Sequence, residues 1–432
     1  MRKLIIKHVG PISNTAKIIF RRYCVLIGPQ SNGKSTIAKI LSTCLWLEKE
    51  ACTTLSEDVL PDDKDFKTFV EDYHRIHGYI DSVESIISYE SPYVSIHYEA
   101  GKFSLSLHPD AHYKRSKVSY IPSDRNVITL RDIEKRDLEE TNFRSFLFDW
   151  LEARSNYDKP HRTHILNLDV QYYYDENATE KKDKIIHENG KTYDIPLYDA
   201  SSGMQSVVPM AVLMHYLYAR YYEVFGDKTS FSTEERNRLL TKRILAKYLE
   251  PTLQNSGFAN VGLYYRSLNE KAHAGDVEAQ RICTTIYSEY HDLTHPHNIL
   301  YVIEEPEQNL FPQTQLDLVK NIVDYCNGEH QNNALITTHS PYVLTAVNIL
   351  MFAGKLKAMG VNEEQVQNIV GTANSIDPND IELYHVSQGT CYSLKNKETG
   401  LVNPNELDSA SDYNADVFNS LYSLFIQKLQ EQ

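Results

Sequence analysis

Residues 28–35 read Gly-Pro-Gln-Ser-Asn-Gly-Lys-Ser, a G-x-x-x-x-G-K-S spacing that few folds accommodate. A loop whose successive backbone N–H groups converge on one anion needs a strand running in and a helix running out. The helix N-terminus then adds its partial positive charge. Both flanks are present: Tyr23 to Ile27 is an apolar strand, and Thr36 to Leu47 has helical spacing. An α/β layer with an anion site where the strand meets the helix follows. Gly28, Pro29, Gln30, Ser31, Asn32, Gly33, Lys34, Ser35 and Thr36 form the expected nucleotide cradle. Lys34 is placed to bridge β- and γ-phosphates, and the Ser35 hydroxyl to ligate Mg²⁺.

A second apolar strand, Leu300 to Ile303, ends in Glu304 and Glu305. Neighbouring strand residues point to opposite faces, so the two carboxylates cannot share one task. Glu304 takes the position of a Mg²⁺ holder. Glu305 takes that of the base which orients and deprotonates an attacking water. About 30 residues on, a third apolar strand ends at Thr338-His339-Ser340-Pro341, where His339 is expected to sense the γ-phosphate. Between loop and acids lies Ser201-Ser202-Gly203-Met204-Gln205-Ser206, opening a long apolar helix, Gln205 to Tyr222. A Ser-capped helix start with a glycine for close approach is a receptor for phosphate oxygens. It resembles the ABC signature L-S-G-G-Q at Ser202, Gly203 and Gln205, and departs from it at Ser201 and Met204.

The expected fold class is α/β: a mixed sheet with flanking helices, an antiparallel β subdomain and two largely helical insertions. The core is expected from residues 1–48, 118–130, 190–225 and 297–432. One insertion comprises 49–117 and 131–189, and the other 226–296. Within the first, Tyr93 to Tyr98 and Lys102 to Leu107 read as a hairpin about Ala100-Gly101, and Asp132 to Leu151 as a charged helix. The tail reads as a hairpin, Ile381 to Val386 with Cys391 to Lys395, and a closing amphipathic helix, Tyr413 to Leu429.

Composition narrows the setting. A net charge of −14 disfavours whole-surface attraction to nucleic acid or anionic lipid, leaving local basic stretches at Lys114–Lys117, Arg131 to Arg136 and Lys181–Lys184. Short charge runs of this kind are usually solvated loops or helix faces. No apolar run reaches membrane-spanning length, and the start is too short in apolar residues for a signal-peptide core. Six scattered cysteines without a C-x-x-C pair suit reduced, buried thiols. A cytoplasmic location and no membrane partner are therefore expected. His291, His295 and His297 cluster before the acidic strand. With no cysteine or suitably spaced acid, they read as a polar connector rather than a metal site.

Residues Gly28–Ser35, Ser202–Gln205, Val302–Glu307 and Thr338–Pro341 together resemble the RecF/SMC branch of ABC ATPases, closest to the OLD-family group of prokaryotic anti-phage systems. Tyr120 to Asn126 also resembles a segment of that group. The resemblance implies ATP and Mg²⁺ as cofactors. It also implies an active site completed across a homodimer or higher homo-oligomer, and a sensing or licensing ATPase whose destructive partner is a separate nuclease or toxin, as in Septu-like or PARIS-like modules. The alternative is a RecF-like DNA-binding ATPase of repair or maintenance. No Q-loop glutamine stands out. No Asp-x-Asp pair or Toprim-length segment follows His339, so no nuclease activity of the chain's own is expected.

Overall fold

The computed structural model describes residues 1–61, 63–108, 112–130, 133–136, 138–179, 182–187, 193–224, 231–402 and 421. In chain order its elements are β1 (Arg2–Lys7), β2 (Ala16–Phe20), β3 (Tyr23–Ile27), α1 (Lys34–Thr54), α2 (Phe66–His74), β4 (Ile86–Glu90), β5 (Val94–Glu99), β6 (Lys102–Leu107) and β7 (Ser116–Ile121). Then follow α3 (Asn142–Arg154), β8 (Thr163–His164), β9 (Val170–Tyr174), β10 (Asp183–His187), β11 (Tyr193–Pro196), α4 (Ser202–Ala219), α5 (Tyr221–Val224), α6 (Phe231–Ser256), α7 (Val261–His273) and α8 (Val277–Thr294). The last stretch holds β12 (Asn298–Glu304), α9 (Pro312–Asn327), β13 (Asn333–Thr338), α10 (Pro341–Ala358), α11 (Glu363–Val370), β14 (Ile381–Ser387) and β15 (Thr390–Ser393).

The central sheet has six strands in the order β15-β14-β3-β13-β12-β7, parallel except for β15. Its central strands β3, β13 and β12 are apolar on both faces, as strands covered on both sides require. Period-2 alternation divides them between two cores. Val25, Ile299, Tyr301, Ile303, Ala334 and Ile336 face the side of α3, α4, α9 and α10. Cys24, Leu26, Leu300, Val302 and Leu335 face α1, the antiparallel sheet and α6–α8. Glu304 continues the second set, so its carboxyl lies on the α1 side.

A five-stranded antiparallel sheet, β2-β1-β4-β5-β6, and a four-stranded one, β11-β10-β9-β8, complete the α/β architecture expected from the sequence. Three strands of the first sheet come from the stretch read as an insertion, because β4 pairs with β1 from Lys3 to Lys7. A buried cluster fastens that sheet to α1: Glu48 accepts from Arg2 Nη2 and from the Tyr89 hydroxyl, each at 2.7 Å. The β5–β6 hairpin turns at Ala100 and Gly101, both left-handed.

The helix expected from Asp132 begins instead at Asn142. Thr141, in extended conformation, caps it by accepting from the Arg144 N–H. Residues before it form a 3₁₀ turn, Ile133–Lys135. The second insertion is helical through α6, α7 and α8, and Arg236 ties α6 to α1 through Glu50 Oε2 at 2.8 Å and Thr53 Oγ1 at 2.7 Å. Leu421 apart, the expected closing helix Tyr413 to Leu429 lies outside the described residues, as do Arg131, Asp132 and Lys181. Among the described residues no helix is long and apolar enough to cross a membrane, and all six cysteines are free.

Candidate nucleotide site

The loop after β3 is shaped by two glycines. A Cβ on Gly28 would lie 2.1 Å from the Val386 carbonyl oxygen of β14. Gly33 sits at the cap of α1 with φ +96°, and a Cβ there would meet the Ile12 side chain at 2.5 Å. Asn32 acts within the loop: its Nδ2 donates to the Gln30 carbonyl at 2.8 Å, and its Oδ1 accepts from the Gln388 N–H at 3.1 Å. Pro29, Gln30 and Ser31 are exposed, Ser35 is half-buried, and Thr36 is buried under the loop.

Lys34 is buried, and its ammonium donates to the carbonyls of Gly28 at 2.7 Å and Pro29 at 2.8 Å, while lying 3.1 Å from His339 Nδ1. Burial pulls this lysine down to about 8, against the opposing pull of Glu305 and Glu307. His339 Nε2 faces Glu305 Oε1 at 3.1 Å. Its Nδ1 also lies 2.9 Å from the Gly28 carbonyl oxygen, so that nitrogen sits between a donor, the Lys34 ammonium, and an acceptor. The expected sensor, base and phosphate lysine are thus in one contact chain.

The acidic strand ends sooner than its sequence suggests. β12 stops at Glu304, and Glu305 adopts φ +43°, a left-handed conformation that costs a non-glycine residue about 1–3 kcal/mol. The bend separates the two acids. Glu304 is 3% exposed and accepts from the Ser123 N–H at 3.3 Å on Oε2, while its Oε1 is buried without a hydrogen-bond partner. With the Tyr120 hydroxyl as its neighbour, this buried carboxylate on the α1 side would suit Mg²⁺ held together with Ser35. Burial and the adjacent Glu304 push the Tyr120 hydroxyl well up.

Two residues that the motif reading does not single out hold this bend. Arg125, fully buried, donates from Nη1 to the carbonyls of Pro122 (3.1 Å) and Glu304 (2.8 Å), from Nη2 to that of Glu305 (2.8 Å), and from Nε to that of Ser206 in α4 (3.1 Å). Burial pulls its guanidinium down to about 10, against Glu307, Glu305 and Glu304. Glu307 Oε1 accepts from the Thr338 hydroxyl at 2.8 Å and the His339 N–H at 2.7 Å, fixing the sensor loop to the turn after the acids. The only sequence signal for either was position: Arg125 within the Tyr120–Asn126 segment, and Glu307 within Glu-Glu-Pro-Glu.

The signature-like segment caps α4 at Ser201, which accepts from the Met204 N–H, so Ser202 is the first helical residue; both serines are exposed. Gly203 is required by its own chain: a Cβ there would lie 2.8 Å from the Asn309 carbonyl oxygen, in the turn after the acids. Gln205 Nε2 donates to the carbonyls of Tyr198 at 2.7 Å and Ala200 at 3.1 Å, bracing the approach to the helix. The basic stretch Lys114–Lys117 is partly turned inward: Lys117 pairs with Asp149 at 2.6 Å and Arg115 donates to the Thr294 carbonyl at 2.7 Å.

Residues 279–344 match the AAA_15 family, described as an AAA ATPase domain; the span holds both acids and the His339 loop. No curated protein matches the chain in sequence. In structure the chain is similar to the SMC head domain from Thermotoga maritima (8% identity, 90% of this chain and 97% of that one, TM-score 0.35). It is also similar to an SMC head bound to the C-winged helix domain of ScpA (9%, 90% and 95%, TM-score 0.35). A third similar structure is the recombination mediator RecF of the RecFOR pathway (10%, 91% and 97%, TM-score 0.30). The match carries the conclusion that residues 279–344 belong to an ATPase domain, and the fold brings the loop of residues 28–35 to its acids and sensor.

Proposed function

We propose that this ATPase is of the ABC type, in the RecF/SMC branch, and that two copies meet head-to-tail around ATP. The observation that carries the proposal is the start of α4. Ser201 and Ser202 are exposed at the N-terminus of an 18-residue helix, while Gly203 and Arg125 fasten that helix to the acid-bearing turn of the same chain. A rigid, outward-facing helix start suits the γ-phosphate of a second copy. Bound Mg²⁺ would supply charge neutralisation at the phosphates. Ser35 and Glu304 would hold it, Lys34 would bind the β- and γ-phosphates, Glu305 would take the proton of the attacking water, and His339 would keep Glu305 oriented.

The dimer is proposed to act as a sensor or licensing switch for a separate nuclease or toxin in a prokaryotic anti-phage system, with the chain itself leaving DNA and RNA uncut. The RecF-like alternative calls for an outward basic face, and the inward turn of Lys117 weighs against that stretch supplying it.

Glu305→Gln tests the composite site. It preserves shape and the contact to His339 but removes the base, so turnover falls about 10²–10³-fold while ATP affinity holds. ATP then accumulates a dimer, and adding Ser202→Arg prevents it. Normal turnover in Glu305→Gln, or an ATP-trapped dimer that tolerates Ser202→Arg, would refute the assignment.

A further inference from the structure

We infer that the chain holds one transition-metal ion of the zinc class at His291, Asp292 and His297, at the root of β12 and away from the nucleotide site. The sequence supplies the histidines but hides the acid, because Asp292 is adjacent to His291 rather than at a familiar ligand spacing. In the fold the last turn of α8 and the extended segment behind it bring the three together. Their ligand atoms all lie within 4.8 Å of one another, wider than the roughly 3.3–3.6 Å between ligands of a tetrahedral ion with bonds of about 2.0–2.2 Å, so the side chains close on the ion by small rotations.

The backbone fixes the two ligand-bearing segments before any ion arrives. Arg115, just ahead of β7, donates its N–H to the Asp292 carbonyl at 2.9 Å and accepts from the His297 N–H at 2.8 Å. Its side chain reaches the Thr294 carbonyl at 2.7 Å. His295 stacks flat on His291, with centroids 4.3 Å apart, and its Nδ1 lies 2.9 Å from Thr294 Oγ1, which orients the His291 ring. Outer contacts of this kind set ligand direction in metal sites.

His297 Nε2 is buried and faces Asp292 Oδ1 at 3.0 Å, an ion-pair contact without hydrogen-bond geometry. The Nε2 lone pair of a neutral imidazole and a carboxylate oxygen are both electron-pair donors, and a cation shared between them would satisfy both. Two imidazoles and one carboxylate make a borderline nitrogen–oxygen set, suited to Zn²⁺, Co²⁺ or Ni²⁺ rather than to Mg²⁺ or Ca²⁺, which take oxygen. Three protein ligands leave a fourth position for water or an anion. Asp292 also lines a cavity of about 1040 Å³ between α6, α8 and the residues Leu107, His108, His112 and Tyr113. An ion here clasps α8 to the start of the strand that carries the acids.

The test uses the full-length, tag-free chain, stripped with a chelator and titrated with Zn²⁺ and, separately, Co²⁺. One equivalent of Zn²⁺ binds per chain, and Co²⁺ gives the visible bands of a low-coordinate site. His297→Ala and Asp292→Asn each weaken binding by about 100-fold or more, beyond what loss of an outer contact does. His161→Ala, which disrupts an exposed His161–Asp158 pair 2.8 Å apart, leaves binding unchanged. Failure of the wild-type chain to take up stoichiometric Zn²⁺ or Co²⁺, or equal affinity in wild type and His297→Ala, overturns the proposal.

Discussion

Arg125→Lys should damage turnover far more than nucleotide binding. The guanidinium serves four main-chain carbonyls from three separate nitrogens, two of them sharing Nη1. A lysine has one nitrogen on a shorter reach. At best it keeps the pair served by Nη1 and abandons those of Glu305 and Ser206. Hydrogen bonds to a charged group contribute about 1.5–3 kcal/mol each, so losing two costs about 3 kcal/mol or more. The Glu305 carbonyl is one of the restraints on a residue at φ +43°, alongside its N–H bond to the Thr337 carbonyl at 2.8 Å. Releasing it lets the bend relax and shifts the carboxylate, and a displacement of about 1 Å costs roughly 10²-fold in rate. None of the Lys34 contacts involves Arg125, so ATP affinity should stay within about threefold. The assay is turnover and ATP dissociation constant on the same preparation, with the urea midpoint as the stability readout. Wild-type turnover would refute a positioning role; a parallel collapse of affinity and midpoint would mean that Arg125 serves the fold alone.

Three more outcomes follow from single contacts. Lys34 stands at about 8 because burial disfavours its charge, and phosphate restores it, so ATP binding takes up a proton above pH 8. Affinity should be full below pH 8 and about tenfold weaker at pH 9; calorimetry at pH 9 in buffers of different ionisation enthalpy checks the uptake, and none would refute it. Glu307→Ala strips the acceptor from the Thr338 hydroxyl and the His339 N–H. About 1–3 kcal/mol per orphaned group should cut turnover about tenfold at unchanged ATP affinity, and unaltered turnover would show that the sensor loop needs no anchor. Gly203→Val collides with the Asn309 carbonyl and should leave ATP binding intact while abolishing the ATP-trapped dimer of Glu305→Gln; a dimer that still forms would place the interface elsewhere.

What the sequence reveals here is what local chemistry writes contiguously. The phosphate loop must have its glycines, lysine and serine in order. The acid and sensor strands show as apolar runs because both faces of a parallel sheet are covered. Residues that act through tertiary contact leave no such trace. Arg125 reaches Glu304 and Glu305 across about 180 positions, Asp292 gains meaning only from the path of the chain at His297, and β4 joins β1 from a stretch whose composition suggested an insertion. α3 starts later than the charge spacing from Asp132 suggests for a local reason: Thr141 offers a cap, and the helix begins at the next residue, Asn142.

The contacts also explain how one nucleotide could be registered at two places. An ammonium has three donors, and Lys34 spends its three on Gly28, Pro29 and His339. Engaging a phosphate therefore requires surrendering at least one of them. Giving up His339 leaves its Nδ1 facing the Gly28 carbonyl at 2.9 Å and changes the restraint that His339 places on Glu305. Glu305 in turn shares its peptide with Arg125, which also holds Ser206 in α4. A rearrangement at the phosphate loop is thus four contacts from the helix start proposed to meet the partner's γ-phosphate. Coupling of this kind requires an element with two discrete arrangements, and the site proposed above would supply one in the Lys34 ammonium, held by its own loop as seen here or by a phosphate.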